Sequence, residues 1–229
     1  MIKQVFAIHF SLCKRAKGEE MEKSKQPFFI KLALLLRDLL YSPFWFIYLL
    51  LRKNRCFKED LFFWVKANSF SQKNFSSFLR LVSSFPEFRS LIYFRLKKQS
   101  NISWFIALIY SVFYKGRNNL YIECNNINGG FFILHGFSTI ISAERIGSSF
   151  FVHQQVTIGF LDKSGSPTIG NNVYVGVGAK VLGKIRIGDN VAIGANAVVI
   201  RCVPDNCTVV GVPAKIVKLN GVKCSIELK

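Results

Sequence analysis

The second half of the chain places an aliphatic residue at every sixth position, with one interruption. A helix repeats every 3.6 residues and a strand every two, so a period of six fits neither. It is typical of a β-solenoid in which three six-residue edges form one triangular coil, with the aliphatic side chains filling the interior. Glycine follows six of these anchors and permits a tight corner. The anchors are Leu134, Ile140, Ile146, Val152, Ile158, Ile169, Val175, Val181, Ile187, Ile193 and Val199.

The single interruption of the repeat predicts a loop. Ile158 and Ile169 are eleven residues apart instead of six, so five extra residues must leave the prism within residues 160–168. Insertions into a repeat usually map to one face, which is often the binding face. A neutral surface loop is the alternative.

Charge and composition divide the chain into two parts. Residues 1–120 hold 21 Lys/Arg and seven Asp/Glu, whereas residues 121–229 hold ten and six, so most of the net charge of +18 precedes the repeats. We predict an α+β protein with a basic, aromatic-rich helical region at 1–118, a parallel β-helix of about four coils at 119–217 and a tail at 218–229. Pro86 should divide 72–96 into two helices, residues 102–114 should form another, and residues 203–215 should cap the prism.

The segment Phe28–Leu51 is apolar, but its pattern does not indicate a membrane-spanning helix. Lys31, Arg37 and Asp38 interrupt it, and a spanning helix needs about 20 uninterrupted apolar residues. A helix pair lying at an anionic membrane surface fits the pattern, because Arg52, Lys53 and Arg55 follow directly. Packing inside the helical region or an oligomer is the alternative. No nucleic-acid recognition module is present, so we do not expect nucleic acid as a partner.

The extreme N-terminus and the cysteines bear on location. Residues 1–20 lack a small-residue cleavage site after a short apolar run, so they read as an extension before Met21 rather than a secretory signal. The six cysteines form no CxxC pair and no metal spacing with the three histidines. We therefore expect no metal, reduced thiols and a cytoplasmic protein, with peripheral contact at the inner face of the membrane as an option.

His135 and His153 are 18 residues apart, which is the length of one regular coil. Residues one coil apart stack at about 4.8 Å, so we expect the two imidazoles to project from one edge. Two such close imidazoles resist double protonation, and a neutral imidazole can act as a general base. A polar ladder on a solvent or subunit face is the alternative.

Three stretches resemble the hexapeptide-repeat acyltransferases and, within them, the serine acetyltransferases. Phe132-Ile133-Leu134-His135-Gly136 resembles the catalytic coil of that family. Gln154-Gln155-Val156-Thr157-Ile158-Gly159 is similar to its next coil. Residues 175–183 and 211–215 resemble the segments that line its coenzyme A groove.

The resemblance implies a left-handed β-helix that assembles as a homotrimer, with active sites between neighbouring prisms. There acetyl-CoA would donate its acetyl group directly to an acceptor hydroxyl. His135 would be the general base and His153 an auxiliary. Lys180 and Lys215 would face the phosphates of CoA. The residues implied for acetyl-CoA binding are Gly159, Val177, Gly178, Ala179, Lys180, Ala195 and Lys215.

Three departures from the family pattern concern the acceptor. Leu134 and Leu120 stand where the family has Asp, and Gly165-Ser166 stand where its loop has an Arg-His pair. Those charged groups would hold the two ends of free serine, so we expect a sugar of a surface polysaccharide or its precursor as the acceptor. Serine O-acetylation is the first alternative, with an amine acceptor and a non-catalytic solenoid scaffold also open. Glu123 and Glu144 are candidates for orienting His135.

Overall fold

The computed structural model describes residues 28–70 and 74–228, so the predicted N-terminal extension lies outside the described residues. Six helices precede the strands in this part of the chain. They are α1 (Phe28–Tyr41), α2 (Phe44–Leu51), α3 (Arg55–Ala67), α4 (Phe75–Ser84), α5 (Pro86–Gln99) and α6 (Asn101–Phe113). The predicted break at Pro86 is confirmed, as is the helix predicted over residues 102–114.

Local side chains fix where these helices begin. Asn54, Asn74 and Ser100 precede α3, α4 and α6, and the side chain of each accepts a hydrogen bond from the backbone N–H three residues later. Pro86 occupies the first turn of α5, where its missing N–H costs no hydrogen bond. The sequence analysis did not predict α3, although Phe57, Leu61 and the pair Trp64–Val65 recur at helical spacing and are buried.

The apolar segment Phe28–Leu51 forms α1 and α2, which meet at Pro43 with a bend of 59°. Helix α2 buries Phe44, Ile47 and Leu51, whereas the large apolar side chains of α1 are mostly exposed. Among the described residues, no single helix has the length and apolarity to cross a bilayer; only α1 and α2 taken together reach that length and composition.

The second half of the chain is a parallel β-solenoid, which confirms the predicted fold class. The strands are β1 (Leu120–Ile127), β2 (Phe132–Ile133), β3 (Thr139–Ile146), β4 (Phe151–Val152), β5 (Thr157–Gly159), β6 (Thr168–Ile169), β7 (Tyr174–Val175), β8 (Lys180–Leu182), β9 (Arg186–Ile187), β10 (Ala192–Ile193), β11 (Val198–Val199), β12 (Cys207–Val210), β13 (Lys215–Leu219) and β14 (Val222–Glu227). The pairs β2–β4, β4–β7, β7–β10 and β10–β12 stack in parallel along one edge of the prism. The strands β3–β5–β8–β11 and β3–β6–β9 form the other two edges. Five levels therefore stack where about four coils were predicted.

The predicted interior residues are buried from Ile146 onward, but the first two anchors are wrong by one position. Ile141 and Ile133 fill the prism, whereas Ile140 is exposed and Leu134 only partly buried. Ile133 pairs with Val152 and Ile141 with Ile158, which makes these coils 19 and 17 residues long instead of 18. A shift of one residue turns a strand's side chains to the opposite face, so the constant period failed there.

One corner of the prism is held by a polar ladder. The side chains of Asn172, Asn190 and Asn206 stack with amide hydrogen bonds of 2.7 and 3.0 Å, and each residue has a positive φ. Asparagine tolerates this left-handed conformation better than most residues. At the C-terminal end, β12, β13 and β14 turn antiparallel and form the predicted cap. The segment predicted as a tail contributes β14 to it.

A buried ion pair joins the helices to the first coil. Arg95 of α5 donates to both carboxylate oxygens of Asp60 of α3 at 2.8 and 3.1 Å, and also to the carbonyls of Ile127 and Asn128. The Phe131 N–H donates to Asp60 at 2.9 Å. Burial raises the pKa of the Asp60 carboxyl, while Arg95 acts in the opposite direction. The pair thereby fixes the helical layer to the first coil, where the chain passes from β1 to β2.

Candidate active site

The corner that carries His135 is longer than the corners stacked on it. Five residues, 134–138, separate the buried Ile133 from the buried Thr139, whereas only residues 153–155 separate Val152 from Val156. We call residues 134–138 the histidine corner. Its two additional residues carry His135 outward from the prism.

His135 is solvent-exposed and has φ of 59°. A non-glycine residue in this region is uncommon and marks a position that its surroundings hold in place. The Phe137 N–H donates to the His135 carbonyl, which closes a tight turn around it. A side chain held in this way can meet a ligand on the outside of the prism.

The predicted stacking of His135 on His153 is wrong. The Leu134 N–H donates to the Val152 carbonyl, which places Leu134 rather than His135 in register with His153. The prediction failed because it assumed an 18-residue coil, and the additional corner residues displaced the register. The two histidines still belong to adjacent levels of one corner.

His153 is paired with a residue that the sequence analysis missed. The hydroxyl of Tyr174 lies 2.8 Å from His153 Nε2, and the two rings meet edge to face at 5.3 Å. Burial raises the pKa of the Tyr174 phenol, so the phenol is protonated near neutral pH. Tyr174 lies one level beyond Phe151 in the parallel register. The loop insertion makes this coil 23 residues long, so an 18-residue step from His153 reaches Asn171 and misses Tyr174.

The residues predicted to bind acetyl-CoA divide into two groups in the structure. Val177, Gly178 and Ala195 lie in the coils that follow, at the same corner of the prism as the histidine corner. There Gly178 has a φ of 71° and Ala195 is exposed. Ala179 points into the prism and is fully buried, so only its backbone can face a ligand. Gly159 is buried at the far end of the same edge, next to the loop.

The two lysines assigned to CoA phosphates both have partners in the chain. Lys180 Nζ donates to the Gln155 carbonyl at 2.8 Å and to the Thr157 hydroxyl at 3.1 Å. Lys215 Nζ lies 2.6 Å from a carboxylate oxygen of Glu227. Both contacts are at least partly exposed, so a phosphate can compete for these ammonium groups.

The helical layer brings a carboxylate and a guanidinium to the histidine corner. A Cβ on Gly136 would lie 3.0 Å from Glu87 Cγ and 3.3 Å from Leu120 Cδ2, so Gly136 packs directly on both side chains. Glu87 is buried and forms an ion pair with Arg117, 3.3 Å from Oε1 to Nε. Neither Glu87 nor Arg117 was predicted as a site residue from the sequence, in which they lie 30 positions apart.

Glu123 and Glu144, the sequence candidates for orienting His135, line a different site. They border a pocket of about 590 Å³ between α5, the first coils and the loop, which we call the loop pocket. Ser164, Gly165 and Ser166 of the loop border it, together with Lys97, Lys98 and Lys184. The loop pocket lies at the opposite end of the β3–β5 edge from the histidine corner. Within the described ranges, no three His, Cys, Asp or Glu side chains form a metal-binding group.

Comparisons with known proteins find similar sequences for part of the chain. The profile of the family described as Bacterial transferase hexapeptide (six repeats) matches residues 166–201. A serine acetyltransferase of Synechococcus elongatus is 48% identical over 98 residues, covering 41% of this chain and 40% of the relative. One from Staphylococcus aureus is 47% identical over 96 residues, covering 40% and 45%. The chain thus matches less than half the length of these curated relatives.

The profile match, these relatives and the β-solenoid fit the hexapeptide-repeat acyltransferase superfamily. Solved structures extend the likeness to the overall fold. Soybean serine acetyltransferase aligns with a TM-score of 0.58 at 22% identity, covering 93% of this chain and 97% of that chain. The Neisseria gonorrhoeae enzyme aligns at 0.54 and 25% identity, covering 100% and 80%. The helical layer is therefore part of an arrangement that the solved relatives share.

Proposed function

We propose that this chain is an acetyl-CoA-dependent O-acetyltransferase with His135 as general base. The acceptor hydroxyl oxygen forms a bond to the acetyl carbon, and the bond from that carbon to the CoA sulfur breaks. The proton passes from the hydroxyl to His135 and then to the departing sulfur. A hydroxyl is a poor nucleophile near pH 7, and a positioned base accelerates such attack by about 10²–10⁴-fold.

The observation that carries this proposal is the extended histidine corner at the start of the stacked corners. His135 is exposed there, and Val177, Gly178 and Ala195 follow on successive levels of the same corner. An extended acyl donor lying along these levels would reach His135 with its thioester end. His153, hydrogen-bonded to Tyr174, would act as an auxiliary that shapes the acceptor side.

L-Serine is the acceptor that the comparisons favour. The relatives that match 40–41% of the chain at 47–48% identity are named serine acetyltransferases. These names favour serine over the sugar acceptor, which the departures from the family pattern favour. We therefore place serine first among candidate acceptors.

A surface-polysaccharide sugar is the second candidate acceptor. Leu120 packs on Gly136 of the histidine corner, where the resemblance predicts a carboxylate, and the loop presents Gly165 and Ser166 instead of charged side chains. A neutral hydroxyl needs no charged clamp at these positions.

We also propose that the protein forms a homotrimer and contacts an anionic membrane surface. The resemblance implies a homotrimer, which would complete the groove with a neighbouring prism. The apolar side chains exposed on α1, α2 and α6 support contact with an anionic membrane surface.

The acceptor assignment is tested by measuring thiol release from acetyl-CoA with L-serine and with a panel of neutral sugars. We expect release to depend on added serine. Release with sugars alone would select the second candidate. CoA binding without release for either class would contradict hydroxyl acetylation, and absence of CoA binding would favour the non-catalytic scaffold.

A further inference from the structure

The guanidinium of Arg117 lies beside the histidine corner, and Glu87 is its one polar partner among the described residues. It contacts Glu87 at 3.3 Å and lies 5.8 Å from the ring centroid of Phe137. Neither contact is a hydrogen bond, and among the residues that the structure describes the guanidinium has no other polar partner. Arginine carries five N–H donors in a planar fork that matches a carboxylate.

Arg117 is held in place from three directions. Its backbone N–H donates to Ser90 Oγ at 2.8 Å, which fixes the segment before β1 to α5. Glu87 is buried beneath it, and its side chain is 8% exposed against 34% for Arg117. Phe137, within the histidine corner, supports the guanidinium face. A side chain restrained in this way loses little conformational entropy when a ligand binds.

We propose that Arg117 binds a carboxylate of the acceptor, and that the acceptor is therefore a hydroxyl compound carrying a carboxylate. This inference rests on the proposed acetyl transfer and specifies its acceptor class. The hydroxyl to be acetylated then faces His135, two residues before Phe137. Glu87 acts as a positioning residue, because it orients Arg117 from the buried side. The charge that Leu120 and the loop lack is thus supplied from the helical layer.

A hydroxy amino acid and a sugar acid share this carboxylate chemistry. Two matched pairs of acceptors separate them: L-serine against L-serinamide, and glucuronate against glucuronamide. Each pair retains its hydroxyl groups and removes only the carboxylate charge. We expect the wild-type protein to use one charged member at least about tenfold more efficiently than its neutral partner, since a lost charge-assisted contact commonly costs that much.

Variants at Arg117 provide the second measurement. Arg117→Gln should raise the KM for the charged acceptor about tenfold or more and leave the KM for acetyl-CoA unchanged. Arg117→Lys, which keeps the charge but loses the fork, should recover only part of the loss. Glu87→Gln should give a smaller rise in the same KM. Arg145→Gln, which changes an exposed arginine of β3, is the matched control and should behave as wild type.

Equal loss of activity toward the charged and neutral acceptors in Arg117→Gln would indicate a structural role and overturn the inference. Efficient acetylation of glucuronamide or serinamide by the wild-type protein would also overturn it, while the proposed O-acetyl transfer would stand. Titration calorimetry with L-serine and glucuronate gives an independent readout that needs no turnover. Binding of one of them that Arg117→Gln abolishes supports the inference, and binding that the variant leaves unchanged contradicts it.

Discussion

At the scale of single residues, the Asp60–Arg95 pair has the largest predicted effect on stability. Removing one partner of a buried pair leaves an uncompensated charge, which costs about 3–5 kcal/mol. We expect Arg95→Met to lower the free energy of unfolding by about this amount, because the buried Asp60 carboxylate would lose its only cation among the described residues. Urea denaturation followed by tryptophan fluorescence measures the change.

Arg55→Gln is the matched control. Arg55 also forms an ion pair with a carboxylate of α3, Glu59, at 2.9 Å, but its side chain is 91% exposed. Exposed pairs of this kind contribute little, so the urea midpoint should stay at the wild-type value. Equal destabilisation by Arg55→Gln and Arg95→Met would show that burial of the pair is not what stabilises the junction.

Single residues also show where sequence reasoning reached its limit. His135 was identifiable because the residues around it match a known pattern. The conformation of His135 could not be predicted, because the two additional residues of its corner are exposed and carry no periodic signal. Glu87 and Arg117 were missed for another reason: they approach the corner from α5 and from the segment after α6, and no local spacing links them.

At the scale of elements, the strands were far more predictable than the helical layer. A side chain inside the prism must be aliphatic and must recur with each edge, so the sequence records it directly. Helix α3 has the same physical signature on its buried face, yet its charged residues 58–60 obscure it. Helices α1 and α2 were predicted as a pair, but their different burial depends on contacts with α4 and α6 that no short window contains.

The exposed faces of α1, α2 and α6 form one apolar surface, which we call the apolar helical face. Tyr110 and Tyr114 of α6 donate hydrogen bonds to the carbonyls of Pro43 and Leu40, so the helices adjoin. Trp45 and Trp104 are exposed on it, a placement suited to a membrane interface. The exposed cations Arg52 and Lys53 directly follow α2. We expect sedimentation with phosphatidylglycerol vesicles that weakens as salt rises.

Substitution within this face should reduce vesicle binding. Trp104→Ser with Phe105→Ser removes two exposed aromatic side chains, and Val222→Ser, at an exposed apolar position on the cap, is the control. Only the first variant should lose binding. If it instead lowers the oligomer mass measured by light scattering and leaves vesicle binding intact, the apolar helical face is an interface between copies of the chain.

At the scale of the whole molecule, the helical layer and the solenoid act as one support for the histidine corner. The Asp60–Arg95 pair fixes the layer to the first coil, and the Glu87–Arg117 pair reaches the corner itself. The fold class followed from the repeat alone. The acceptor did not, because it depends on side chains that meet only after the two parts of the chain have packed.

The most direct test of the proposed function is the rate of thiol release from acetyl-CoA by the wild-type protein and by His135→Asn, each with its preferred acceptor. We expect kcat to fall about 10²–10⁴-fold in the variant, because the general base is removed. The KM for acetyl-CoA and the oligomer mass should remain those of the wild type. Normal acetyl transfer by a correctly assembled His135→Asn protein would contradict the assignment of His135 as the general base.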